Sequence, residues 1–188
     1  MKAIFYALLP SLLSFNVLAA DSYTIDSRHT FPSFEIGHLG FSTQRGRFNH
    51  TTGKLILDAK SQTGGSLNAS IDSNSINTGL SELEEHLRGE DFLDSARFAQ
   101  INFNSNQLKF SNEQLIAIDG TLNLHGITKA VHLTVDYFHC GINVISLKNV
   151  CGANMTTTLK RSDFGIDKYV PMISDEVKIM IQFEAIKD

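Results

Sequence analysis

Seven histidines, His29, His38, His50, His86, His125, His132 and His139, are the chain's first candidates for metal binding or proton transfer. No two stand at i, i+2 on a strand-like segment or at i, i+4 on a helical one, the spacings that would put two imidazoles on one face, so no local metal site is signalled. Asp26 and His29 could act as an acid–base pair, or could satisfy backbone groups where a strand joins a sheet. A Gly-x-Ser-x-Gly elbow, a His-Glu-x-x-His helix and a phosphate-cradling glycine loop are all absent from the sequence. Arg45 and Arg47 flank Gly46 and share one face of a strand, and Lys160 with Arg161 makes a second basic spot. Such guanidiniums either sit in solvent or offer paired donors to a carboxylate or phosphate head group at the mouth of a barrel.

The elements that would carry these residues read as strands. Ile116, Ile118, Leu122 and Leu124 alternate with polar Asp119, Thr121 and Asn123. Val131, Leu133, Val135 and Tyr137 alternate with His132, Thr134 and Asp136, and Val177, Ile179, Ile181 and Phe183 with Lys178, Met180 and Gln182. Side chains of a strand point to opposite faces in turn, so each segment has one greasy face to bury. Eight such strands are predicted, over 23–38, 46–59, 66–77, 100–110, 114–124, 130–138, 153–161 and 176–185. Turn residues at Gly64-Gly65, Ser111-Asn112-Glu113 and His125-Gly126 separate them as hairpin connections should. Pro32, which lacks an amide donor, predicts a bend or edge in the first strand. An all-β chain of this kind closes as an eight-stranded antiparallel barrel or stacks as a sandwich.

One segment departs from this rhythm. Leu80, Leu83 and Leu87 share a helical face, Ser81 and Glu84 form a capping box, and Gly89 suits the end of a short helix over 81–88. This helix either covers core as a plug or acts as a lid over a pocket.

Lys2, the apolar run from Ala3 to Leu13 and the small residues before Ala20 have the layout of a secretory signal peptide, residues 1–20. Pro10, Ser11, Ser14 and Asn16 interrupt the run, which is too short to span a bilayer. Cleavage would leave one domain, residues 21–188, and would take the formal net charge from −4 to −5. That acidity gives no electrostatic reason to expect nucleic acid. In an exported chain, the isolated pair Cys140 and Cys151 predicts a disulfide.

The ordered motifs resemble the YceI-like family. Tyr23-x-Ile25-Asp26-x-x-His29-Thr30 with Phe34 and His38, Gly46-x-Phe48 with Gly53, and His86-Leu87-Arg88-x-x-Asp91-Phe92 carry the first half of the resemblance. Phe98, Ile101-x-Phe103, Ser105, the hairpin from Gly120 to Lys129, Arg161-x-Asp163-Phe164-Gly165 and the strand from Val177 to Glu184 carry the rest. The chain departs from the family pattern at Thr30, where serine is usual, and at Ala99-Gln100, where a proline often precedes the strand. The resemblance implies an extended, lipocalin-like antiparallel barrel around a long apolar molecule such as a polyisoprenoid, an isoprenoid quinone-like molecule or a fatty amide. It also implies export to the periplasm.

On that reading the inward set that would line the ligand is Phe34, Ile36, Phe48, Phe103, Ile118, Leu122, Leu133, Val135, Ile179, Ile181 and Phe183, with Leu87 and Phe92 near the lid. Arg45, Arg47 and Arg161 are the candidate head-group contacts. No metal, cofactor or catalytic residue is expected beside the lipid. The chain is not expected to be membrane-integral, and transient membrane contact and oligomer formation stay open. Two other readings remain: a lipid-modifying enzyme using Asp26, His29 or His86, and a secreted interaction domain with a solid core.

Overall fold

The computed structural model describes residues 20–57 and 64–188. The segment read as a signal peptide, apart from Ala20, and the end of the second expected strand lie outside the described residues. Each of the eight expected strands is present, although three are broken by short bends. The first is β1 (Asp21–Ile25) and β2 (Phe31–His38), the second β3 (Ser42–Phe48) and β4 (Thr51–Leu57), and the third β5 (Gly65–Asp72) and β6 (Ile76–Asn77). After the helix α1 (Ser81–Arg88) come β7 (Gln100–Ser111), β8 (Gln114–Leu124), β9 (Ile127–Ile142), β10 (Asn149–Lys160) and β11 (Ile173–Lys187). All pairings are antiparallel. β1 bonds to β4 on one side (Tyr23↔Leu55) and to β11 on the other (Tyr23↔Lys187), so the sheet closes into a barrel and leaves no edge there.

The bend of the first strand falls at 26–30, just before Pro32. Pairing of β2 with β3 begins at Ser33, so the missing amide of Pro32 sits where that ladder stops. Thr30 holds the bend. Its buried hydroxyl donates to the carbonyl of Glu184 and accepts from the same residue's amide, both at 3.0 Å. Two of the hairpins have the turn geometry that right-twisted strands prefer, with φ positive at both central residues: Asn112 and Glu113, then His125 and Gly126.

Bulges overturn the alternation at two expected positions. In β8 the register shifts where Ile116 is passed over, leaving it exposed while Leu115 and Ala117 are buried. In β9, Asp136 is the extra residue against β10, so Tyr137 turns outward and Phe138 takes its place on the inner face. A third shift, in β7, follows Asn104. There Ser105 is buried, donates its hydroxyl to the carbonyl of Asp119 at 2.6 Å and accepts from the amide of Gln107.

The capping box is also revised. Leu80 is the N-cap residue and Ser81 lies inside the helix, with no side-chain cap bond. Glu84 reaches back past it, accepting from the amides of Thr78 and Gly79 at 2.8 and 3.1 Å. Both amides precede the N-cap, so Glu84 fixes the chain entering the helix instead of bonding the N-cap amide as a capping box would.

Candidate functional site

The barrel is solid at one end and hollow at the other. Tyr23, Leu55, Leu108, Leu115, Ile118, Val135 and Cys151 pack together at the solid end, each nearly inaccessible to water. The Cys140–Cys151 disulfide crosses paired positions of β9 and β10 there, with Cys151 wholly buried. Toward the other end a cavity of about 590 Å³ opens, walled almost entirely by apolar side chains. Phe103, Leu133 and Phe183 are buried and belong to both regions, so they form its floor. Phe34, Ile36, Phe48, Leu122, Ile179 and Ile181 face inward yet stay only half-buried, because they border space rather than one another.

Two glycines shape this wall. A Cβ on Gly46 would stand 2.5 Å from the Phe34 ring, and one on Gly120 would stand 2.5 Å from the Phe103 ring. Each phenyl ring therefore extends over a glycine of a neighbouring strand, where a larger residue would collide with it.

Helix α1 and the segment after it cover the open end. Leu83 and Leu87 point into the cavity from the helix, with Phe92 and Leu93 beyond it. The His86 ring packs on Phe92, with centroids 4.8 Å apart, and lies 6.4 Å from Tyr169 across the opening. Asp91 and Lys168 form an ion pair at 3.1 Å between the same two segments. Because Leu80 and Tyr169 both line the cavity and remain exposed, the space reaches solvent between α1 and the loop over 165–172. The helix therefore takes the lid position, not that of a plug in solid core. Beyond the Thr134↔Thr156 pair, β9 and β10 are no longer bonded, and a groove of mixed character in the wall there is lined by Val131, Thr134, Thr156, Thr157, Thr158 and Leu159.

Of the residues expected around a ligand, Phe34, Ile36, Phe48, Leu87, Phe92, Phe103, Leu122, Leu133, Ile179, Ile181 and Phe183 line the cavity. Ile118 and Val135 do not; they belong to the solid half. The arginines divide similarly. Arg45 reaches the cavity margin but pairs with Glu35 at 2.7 Å, and Arg47 lies outside, its guanidinium 4.3 Å above the Phe31 ring. Arg161 is buried and donates to the carbonyls of Ser174, Ile166 and Ile173 at 2.9–3.0 Å. Burial pulls its pKa below the ordinary value, against the pull of Asp175 and Asp167. Its first task is to bind the strand end and the following loop together, which the basic spot in the sequence did not reveal.

Asp26 and His29 are hydrogen-bonded at 2.9 Å, but neither lines the cavity. Asp26 accepts from the Arg28 side chain and amide at the β1–β2 bend, which is the backbone-organising role. The Arg28 guanidinium, assisted by the His29 ring, holds this carboxyl well below its ordinary value against the opposing effect of burial. Many lining residues were not in the expected set, among them Leu67, Ile71, Ile76, Ile101, Val177 and the polar Thr51. Thr51 faces inward on β4, is buried, and its hydroxyl has no hydrogen-bond partner. Among the described residues, no group of three or more His, Cys, Asp or Glu side chains converges as metal ligands would.

A closed eight-stranded antiparallel barrel with a covered apolar cavity is the build of a protein that encloses a small hydrophobic molecule. The sequence agrees with the architecture. Residues 23–185 match the YceI-like domain, and the chain belongs to that family. It is 32% identical over 184 residues to Protein YceI of Salmonella arizonae, covering 97% of this chain and 95% of the relative. Among solved structures, BcnA of Burkholderia cenocepacia superposes with a TM-score of 0.71 at 19% identity, covering 85% of this chain and 98% of that one. A polyisoprenoid binding domain from Saccharophagus degradans, implicated in plant cell wall breakdown, gives 0.66 at 16% identity, covering 88% and 98%. At these identities the two structural likenesses concern the fold.

Proposed function

We propose that this chain is an exported periplasmic protein that holds a long apolar molecule in its barrel, for carriage, storage or sensing, without catalysis of its own. A polyisoprenoid, an isoprenoid quinone-like molecule or a fatty amide fits the chemistry of the wall. The observation that carries this reading is the cavity itself: about 590 Å³ lined by aliphatic and phenyl groups. At about 30 Å³ for a methylene-sized group, the cavity holds roughly 20 of them. Burying that many at about 0.8 kcal/mol each gives on the order of 16 kcal/mol, against association costs of roughly 4–15 kcal/mol. A chain of ten carbons would gain about half as much and would bind poorly, so length is part of the specificity.

The disulfide supports an oxidising compartment, and the N-terminal pattern supports the route to it. The structural neighbour described as a polyisoprenoid binding domain supports the ligand class. The enzymatic reading loses its acid–base pair to the barrel exterior, which leaves His86 as its one titratable candidate beside the lid.

The test is organic extraction of protein purified from its native host, with mass spectrometry of the extract and melting curves before and after. The expected result is one apolar chain per protein and a lower Tm once it is removed, because a ligand bound only to the native state adds RT ln(1 + [L]/Kd) to stability. An empty extract with unchanged melting would leave the solid-core interaction domain as the better account. Chemical turnover of the extracted lipid would instead establish an enzyme.

A further inference from the structure

Most of the large apolar side chains that the described residues expose gather at the two poles of the barrel. At the solid pole, Ile142, Val144, Ile145 and Leu147 cap the β9–β10 hairpin beyond the disulfide. At the hollow pole, Leu39 and Phe41 form the tip of the β2–β3 hairpin, Tyr169 and Met172 sit on the facing loop, and Leu80 precedes α1. Phe41 is 90% exposed and Met172 59%, so neither side chain contributes much to the fold. They nonetheless form one piece with the mouth. The Leu39 amide donates to the Met172 carbonyl at 2.9 Å, and the Ile173 amide donates to that of Tyr169 at 2.9 Å. Leu39 and Gly40 both have left-handed φ values, 53° and 74°, which makes a tight turn that presents Phe41 outward. Leu80 and Tyr169 also line the cavity, and the backbone bonds that tie Leu39 to Met172 and Ile173 to Tyr169 place the hairpin tip beside its mouth.

We propose that this rim docks on the surface of a lipid bilayer, with Leu39, Phe41 and Met172 entering the boundary between head groups and acyl chains. The inference rests on the reading of the cavity as a lipid site and adds where that lipid is exchanged. A chain leaving through water would lose nearly all its burial energy on the way, whereas a mouth seated on the membrane keeps it in apolar surroundings throughout. The patch is small and sits at the end of a hairpin, where it can enter a membrane shallowly, and it lies beside the mouth of the cavity. Its backbone suits the environment as well, since the amides of Leu39 and Phe41 already have carbonyl partners in Met172 and His38.

The chain contains no tryptophan, so a single introduced indole reports its surroundings without background. Phe41→Trp and, at the opposite pole, Ile145→Trp are mixed with vesicles of phosphatidylethanolamine and phosphatidylglycerol, some carrying brominated acyl chains. Phe41→Trp emission should shift to the blue and be quenched by the brominated lipid, while Ile145→Trp emission stays unchanged. No shift at position 41, or an equal or larger one at position 145, overturns the proposal. In a second measurement, the double variant Phe41→Ser, Met172→Ser should sediment with vesicles at least about tenfold less while retaining the melting temperature of the delipidated parent. Undiminished sedimentation also overturns it. Extraction of the same preparations separates the two claims. Bound lipid without docking refutes the rim alone, and docking by protein that never carries lipid refutes the cavity reading alone.

Discussion

Ile118 and Ile179 offer a direct comparison between the two halves of the barrel. Both are inward isoleucines on central strands, but Ile118 is 1% exposed in the solid half and Ile179 borders the cavity. Truncating Ile118 to alanine leaves a hole that packed neighbours cannot refill, at a cost of about 2–5 kcal/mol. For a chain of this size each kcal/mol moves Tm by about 2–4 °C, so Ile118→Ala should lower it by about 4–20 °C, with or without lipid. Ile179→Ala removes three carbons that already face space on one side. In delipidated protein it should therefore cost at most about half as much as Ile118→Ala, since the void it enlarges already exists. Its main effect should fall on the ligand. Three methylene-sized contacts at about 0.8 kcal/mol amount to about 2.4 kcal/mol, or close to 60-fold in affinity, with a mobile chain recovering part of that. The assays are thermal melts of loaded and delipidated protein and competition for the extracted lipid. Equal destabilisation by both variants in delipidated protein, with lipid affinity unchanged by Ile179→Ala, would refute a hollow half.

Two further outcomes are expected away from the cavity. Asp26→Asn should lower stability at pH 7 by removing a carboxylate that Arg28 and His29 hold at the β1–β2 bend. Because its folded-state pKa is depressed, that contribution is present above its ordinary pKa near 3.8 and is lost as the pH falls below it. Melting curves of parent and variant should thus converge on acidification from pH 5 to pH 2, and a constant gap across that range would contradict the assignment. Replacing Cys140 and Cys151 together by alanine frees a loop with a sequence separation of 11 and should cost about 3 kcal/mol by the chain-entropy account. Denaturant titration of the two proteins checks this, and an unchanged midpoint would show that the hairpin needs no staple.

Much of the fold was legible because a strand announces itself through a period of two, and many such strands must bury their greasy faces together; the pattern allows a sandwich as well as a barrel, and the resemblance to the YceI-like family pointed to the barrel. The runs at Ile118 to Leu124 and Val177 to Phe183, the turn residues at Asn112-Glu113 and His125-Gly126, and the leucines over 80–87 each predict their own local structure. Tertiary structure decided what local pattern cannot encode. Ile116 and Tyr137 sit in phase with their neighbours in the sequence, yet bulges turn both outward, because the closing sheet bends where the opposing strand requires an extra residue. Arg161 reads as an exposed cation until the carbonyls of Ile166, Ile173 and Ser174 close around it. Ile118 and Ile179 carry the same side chain in the same alternation. Whether such a residue meets core or cavity depends on what the strands across the barrel bring opposite it, and those strands lie far away along the chain.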